Sequence, residues 1–179
     1  MGSANKPVRI GMLGCGVVGS EVARLLLADT EELSTRAGVK IELARIAVRT
    51  LKDYPGINPA LFTTDPFSIV NDPEIDLIVE VMGGIEPANE LSHLAIKNRK
   101  SIVTANKALL ASHGAELFTA AYAQGEDIYY EASVAGAIPI IRPLRDSLVG
   151  DFVIRVMGIV NGTTNYILTK MHEENKEFA

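Results

Sequence analysis

Val8-Arg9-Ile10-Gly11-Met12-Leu13-Gly14-Cys15-Gly16-Val17-Val18-Gly19 is the stretch on which the fold turns. An apolar run broken only by Arg9 feeds straight into three glycines at the spacing G-x-G-x-x-G, and beyond them Val18, Val22, Leu25 and Leu26 recur at helical spacing. The expected order is strand, tight glycine turn, amphipathic helix. Gly14 permits the turn, Gly16 lets the backbone approach a pyrophosphate, and Gly19 lets helix pack on strand. Val17 and Val18 open the helix, where unpaired N–H groups and the positive end of the macrodipole favour an anion. A glycine-rich turn alone carries little weight; one placed after a strand and before a helix points to a dinucleotide. Cys15, inside the turn, reads as a small packing residue.

Working outward, strands and helices alternate. Strands are expected at Ile41–Val48, Ile75–Val81, Ser101–Thr104, from Ile128 to Tyr130 and over Phe152–Val160. Helices are expected from about Pro87, over Lys107–Ala123, over Ile138–Leu148 and over Thr163–Glu174, with loop and short helical pieces from Tyr54 to Asp72. Such alternation implies an α/β fold of Rossmann type, a doubly wound parallel sheet covered on both faces and joined by right-handed crossovers. Residues 1–148 are expected to form that domain, and 149–179 to begin a second one.

The 179 residues are 47% hydrophobic and 22% charged, which excludes wholesale disorder and suits one domain with part of another. A net charge of −5 argues against a nucleic-acid-binding or anionic-membrane-binding face. A single cysteine forms no internal disulfide and no zinc site by itself, pointing to a reducing compartment. No run reaches the length of a membrane span, and the expectation is a soluble cytoplasmic protein.

The second strand should end on the residue that meets the adenosine ribose. In place of an Asp or Glu there, this one ends Ala47-Val48-Arg49-Thr50, with Lys52 close behind and Glu42 at the wrong end. A guanidinium pairs with a 2′-phosphate in bidentate fashion, so NADP(H) is favoured, with NAD(H) the alternative; Arg49 as a solvated surface charge is the bland reading. Ligands in such sheets bind past the strand ends near the switch point. Met82-Gly83-Gly84 would let backbone pass close to a nicotinamide. Lys107 starts a helix, where the dipole disfavours a cation unless it meets a ligand; a solvent-facing lysine is the alternative. Glu131, after a strand and before the small residues up to Gly136, is a carboxylate beside inward-turning carbonyls, an environment for a group I or II ion. His93, His113 and His172 lie on three different helices without ligand spacing, and Tyr122, Tyr129 and Tyr130 read as core or boundary aromatics.

These residues resemble a family. Gly14–Gly19, Val81-Met82-Gly83-Gly84, Val103–Leu110, Tyr130–Pro139 and Gly158–Tyr166 together resemble the N-terminal part of a homoserine dehydrogenase, in the family's order and over nearly the whole chain. The resemblance implies reversible NAD(P)H-dependent reduction of L-aspartate 4-semialdehyde to L-homoserine, on the route to threonine, methionine and isoleucine. It assigns Arg49 to the 2′-phosphate and Lys107, in a supporting role, to the nicotinamide and substrate. It makes Glu131 and the backbone carbonyls of Val134, Gly136 and Ile138 a sodium site. It also implies a homodimer or higher homo-oligomer in the full-length protein. The family's principal catalytic residues lie beyond residue 179, so this chain is expected to bind cofactor without turnover. A non-catalytic redox-sensing module is the competing reading; Lys107 and the Glu131–Pro139 loop are what such a sensor has no use for.

Overall fold

The computed structural model describes residues 6–159, 161–175 and 177. They divide into two compact units between Gly136 and Ala137.

The first unit is the parallel α/β sheet. Its strands are β1 (Val8–Leu13), β2 (Ile41–Ala47), β3 (Phe62–Thr63), β4 (Leu77–Glu80), β5 (Ser101–Thr104) and β6 (Ile128–Tyr129), in spatial order β3-β2-β1-β4-β5-β6. All five pairings are parallel. The order reverses between β1 and β4, which is the topological switch point. Helices α1 (Val17–Ala28), α2 (Thr30–Ala37), α3 (Pro66–Val70), α4 (Ala88–Lys97) and α5 (Lys107–Gln124) supply the crossovers.

Successive strand residues serve opposite faces. Met12, Leu43, Ile46 and Val79 join Ile10, Cys15, Ala23 and Ile57 in one core under α1. Their neighbours Leu13, Ala44, Ala47 and Ile78 join Ile69, Leu91, Ala95, Leu109 and Leu117 in the other, under α3, α4 and α5. This period of two, broken in β2 by a bulge that skips Ala44 between the Ile10–Leu43 and Gly11–Arg45 pairs, runs through a sheet buried on both sides, which is why the strands read as nearly continuous apolar runs.

The strand ends align. Leu13 pairs with Ala47 on one side and Glu80 on the other, Ala47 with Thr63, and Glu80 with Thr104. The ladder runs one residue further: the N–H groups of Gly14, Val48, Val81 and Ala105 donate to the carbonyls of Ala47, Thr63, Leu13 and Glu80. The loops that carry ligand chemistry therefore leave the sheet from one row.

The opposite edge is held by Lys100. Its residue is 3% exposed, and its Nζ donates to the Asp72 carbonyl at 2.7 Å and to that of Ile75. Burial pushes its ammonium below the ordinary lysine value, partly offset by Asp72 and Asp76.

Three expectations are corrected here. The Tyr54–Asp72 loop contains an edge strand, β3, whose two residues are too few to show a period. The span expected as one helix over Ile138–Leu148 is helical only over 141–147, opening with the Leu144 N–H on the Ile140 carbonyl and widening at Pro143–Ser147, where the Leu148 N–H reaches back five residues to the Pro143 carbonyl. The prolines there remove the N–H groups that a regular helix would use. The Phe152–Val160 strand is absent over the described residues 152–159, and Val160 lies outside them. Phe152 and Ile154 are 97% and 95% exposed. Strand propensity needs a partner ladder, and no described strand pairs with this segment. The helix expected at Thr163–Glu174 is present as α6 (Gly162–Glu173), with the Asn161 side chain capping Thr164 N–H.

Replacing Lys100 with methionine leaves the carbonyls of Asp72 and Ile75 without their donor. We expect Lys100→Met to lower stability by about 2 kcal/mol near neutral pH in chemical denaturation. The folded chain loses the Lys100 proton at lower pH than the unfolded chain. The unfolded state therefore binds more protons in that alkaline interval, and the Lys100 contribution to stability rises with pH there. The variant should lose that slope.

Candidate functional site

A cleft of about 530 Å³ opens at the carboxyl ends of β1, β2 and β4, at the switch point. Gly14, Cys15 and Gly16 form its floor, Arg49, Thr50 and Lys52 one flank, and Val81, Met82 and Pro87 the other.

The three glycines divide the work as their spacing predicts. Gly14 has φ +103°, and a Cβ there would stand 2.8 Å from the Val81 carbonyl oxygen. A Cβ on Gly19 would meet the Gly14 carbonyl oxygen at 2.6 Å and Val81 Cγ2 at 3.1 Å, so α1 crosses directly against the strand ends. At Gly16, by contrast, nothing lies within 4 Å of the Cβ position. Gly16 is the N-cap of α1, with no side-chain cap and no acidic residue in the first turn. The helix start thus keeps its positive end uncompensated and open to the cleft, as anion binding requires. Val17 and Val18 follow, 87% and 56% exposed. Cys15 is buried in the core, and desolvation raises its thiol above the ordinary value against the smaller pull of Arg24 and Lys52; it is a packing residue, not a thiolate.

On the adenosine side, Arg49 is exposed just past the end of β2. Lys52 Nζ lies 5.1 Å from the Tyr54 ring centroid, and Tyr54 stacks on Phe62 at 4.5 Å. Two cations therefore border this end of the cleft.

On the other side, the polar groups after β4 and β5 are joined through Glu80, which sequence reasoning passed over. Its residue is fully buried. One carboxylate oxygen accepts from Met82 N–H at 2.9 Å and from the Asn106 amide at 3.4 Å. The other accepts from the Thr104 hydroxyl at 2.6 Å, whose oxygen in turn accepts from Asn106 N–H at 3.0 Å. Asn106 also donates to the Gly84 carbonyl at 2.7 Å and caps α5 by accepting from Leu109 N–H at 3.1 Å. The sequence held part of the signal, a lone acid closing the run Leu77-Ile78-Val79 three residues before Gly83; its place level with Thr104 comes from the strand register.

Gly83 and Lys107 do not line the cleft. Gly83 stands at φ +73° in the turn after β4, and Lys107 is the exposed first residue of α5, one position from Asn106. Glu131 begins a single 3₁₀ turn ending at Ser133, whose hydroxyl donates to the Thr104 carbonyl at 2.8 Å. Ala135 and Gly136 follow at φ +57° and +61°, and the carbonyls of Val134 and Gly136 accept no hydrogen bond among the described residues. Ile138 belongs to the second compact unit. No group of three or more His, Cys, Asp or Glu side chains suited to a metal occurs among the described residues. His113 pairs with Glu116 at 3.3 Å, away from these loops in sequence. Tyr122, expected in the core or at its boundary, is 89% exposed.

A parallel doubly wound sheet with an uncapped glycine turn at its switch point defines a dinucleotide-binding domain. Comparison with known proteins narrows this. The homoserine dehydrogenase NAD-binding domain matches residues 14–131, and a second homoserine dehydrogenase family description matches residues 139–179. The homoserine dehydrogenase of Corynebacterium glutamicum is 49% identical over 173 residues, covering 96% of this chain and 39% of that protein. That of Bacillus subtilis is 39% identical over 175 residues. Among solved structures, a homoserine dehydrogenase from Thiobacillus denitrificans superposes with TM-score 0.83 at 46% identity, covering 96% of this chain and 40% of the other. A hyperthermophilic archaeal homoserine dehydrogenase in complex with NADPH superposes with TM-score 0.77 at 26% identity, covering 93% of this chain and 57% of that one. The chain belongs to the homoserine dehydrogenase family. It spans about 40% of the length of the curated relatives it matches.

The glycine geometry predicts opposite outcomes for one substitution. Gly19→Ala should destabilise the fold by about 2 kcal/mol, because its methyl group meets backbone that has nowhere to go. Gly16→Ala should leave the melting temperature nearly unchanged. Thermal unfolding of the two variants beside the unaltered chain checks both.

Proposed function

We propose that this chain is the NADP(H)-binding part of a homoserine dehydrogenase, acting in the reversible reduction of L-aspartate 4-semialdehyde to L-homoserine on the route to threonine, methionine and isoleucine. In this reading residues 1–148 bind cofactor, 149–179 begin the substrate and dimerisation domain, and the whole protein works as a cytoplasmic homo-oligomer. The observation that carries it is the uncapped, unobstructed start of α1 at the switch point, bordered by Arg49. No helix among the described residues is long and apolar enough to cross a membrane.

The residues present fit the cofactor. The Gly14–Gly19 turn and the N–H groups at the start of α1, with Val17 and Val18, would hold the pyrophosphate. Arg49 would pair with the 2′-phosphate, which a guanidinium meets through two parallel hydrogen bonds. Met82 and Gly83 would border the nicotinamide. The bound cofactor supplies the hydride. The protein orients the reacting groups and sets the local field. Lys107 supports by presenting an ammonium where charge develops on the aldehyde oxygen, while the principal proton transfer belongs to residues outside this chain. The fragment is accordingly expected to bind cofactor without turning over.

In the first unit, Glu131 and the carbonyls of Val134 and Gly136 would supply oxygens to a sodium ion. Those two carbonyls accept no hydrogen bond among the described residues, which supports that reading, since a hard monovalent cation needs oxygen donors not already engaged.

Titration with NADPH and NADH, followed by nicotinamide fluorescence, tests the cofactor side. NADPH should bind more tightly, and Arg49→Ala should weaken NADPH by about tenfold while leaving NADH within about twofold. Equal binding of the two nucleotides would retire Arg49 as the phosphate reader. Gly16→Ala, stable as a fold, should weaken both nucleotides together. In a form of the protein that also carries the substrate domain, Lys107→Ala should lower turnover by about tenfold or more.

A further inference from the structure

Apolar packing at a buried strand end has no use for a carboxyl group. Glu80 closes the run Leu77-Ile78-Val79 in the middle of the sheet, fully buried, at a place where an apolar side chain would avoid the cost of burying charge. It is held there by hydrogen bonds from Met82, Thr104 and Asn106 rather than by a cation. Met82 and Asn106 belong to the turns after β4 and β5, and Thr104 closes β5, all on the ligand side of the sheet.

We propose that Glu80 is a positioning residue that locks the turn after β4 to the turn after β5, so that the backbone at Met82–Gly84 and the start of α5 present one fixed surface to the nicotinamide half of the dinucleotide. The proposal rests on the dinucleotide reading of the cleft. Its mechanical content lies in the connections. The Met82 N–H is turned inward onto the carboxyl group, which sets the orientation of the Val81–Met82 peptide as the chain leaves the strand. Asn106 bridges the two loops, donating to Glu80 and to the Gly84 carbonyl from the same amide while its oxygen caps α5. Lys107 follows Asn106 directly, so its backbone position is set by that cap. Thr104 extends the network on its far side, its carbonyl accepting from Ser133 in the Glu131–Ser133 turn. Two loops thus share one buried carboxyl group, and a third is tied to the Thr104 backbone beside it. None of these bonds reaches the Arg49 side of the cleft, so the adenosine end should not feel the network.

That separation makes the role measurable with two probes on this same chain. Adenosine 2′,5′-bisphosphate occupies only the adenosine end; NADPH occupies both. Glu80→Gln keeps the shape but replaces one acceptor oxygen with a donor facing donors, and Thr104→Val removes a donor and an acceptor from the other end of the network. Each variant should weaken NADPH by about tenfold and return the fluorescence of bound nicotinamide toward that of the free nucleotide, with bisphosphate affinity held within about twofold. Thr104→Ser, which keeps the hydroxyl, should restore both readouts. A parallel fall in bisphosphate and NADPH affinity would reduce Glu80 to a structural group and overturn the proposal, as would unchanged NADPH binding and emission in both variants. If the unaltered chain binds neither probe, the cleft reading itself fails and the proposal falls with it.

Discussion

One row of backbone pairings carries the ligand side of this molecule. Thr63, Ala47, Leu13, Glu80 and Thr104 stand in register across five parallel strands, and the next residue of four of them still donates into the ladder. The glycine turn, the Arg49 segment, the Met82–Gly84 turn and the Asn106–Lys107 turn all leave from that row. Parallel pairing is what allows it, because only strands running the same way bring all their carboxyl ends to one edge. The right-handed crossovers then place helix starts, with their unpaired N–H groups, along the same edge.

The two sides of the cleft are built on different physics. On the adenosine side the chain removes matter: Gly14 and Gly19 let β1, β4 and α1 approach to backbone contact, and Gly16 leaves the helix start open. What remains is a field from the α1 dipole and the cations Arg49 and Lys52, suited to phosphates and tolerant of small displacements. On the other side the chain adds a buried polar network, in which each donor has one acceptor within hydrogen-bond reach. Phosphate recognition asks for charge; hydride transfer asks for geometry. The structural division follows the chemical one.

The family membership and the structure meet at the same residues, Gly14–Gly19, the Met82–Gly84 turn, the Thr104–Lys107 turn and the Glu131 loop. Beyond Gly136 the second compact unit exposes Phe152, Ile154, Met157 and Ile159, an apolar series that no described strand covers. Its apolar and β-branched content suits a sheet, and the described residues hold no ladder for it.

From the sequence alone the parallel sheet, its glycine turn, the strand-end placement of Arg49 and the helix that begins at Lys107 were all legible, because periodicity and glycine spacing are local properties of a chain. The family resemblance was legible too, carried by motifs in order. Tertiary structure decided the rest. Only pairing partners could make β3 a strand out of two residues and leave the apolar Phe152–Ile159 stretch without one, since a strand exists by virtue of its neighbour. Only the register of β4 against β5 could set Glu80 level with Thr104 and turn an ordinary acidic residue into the buried carboxyl group that ties two loops together. A residue's type and spacing are written in the chain, but its burial and its partners come from residues 24 and 26 positions away.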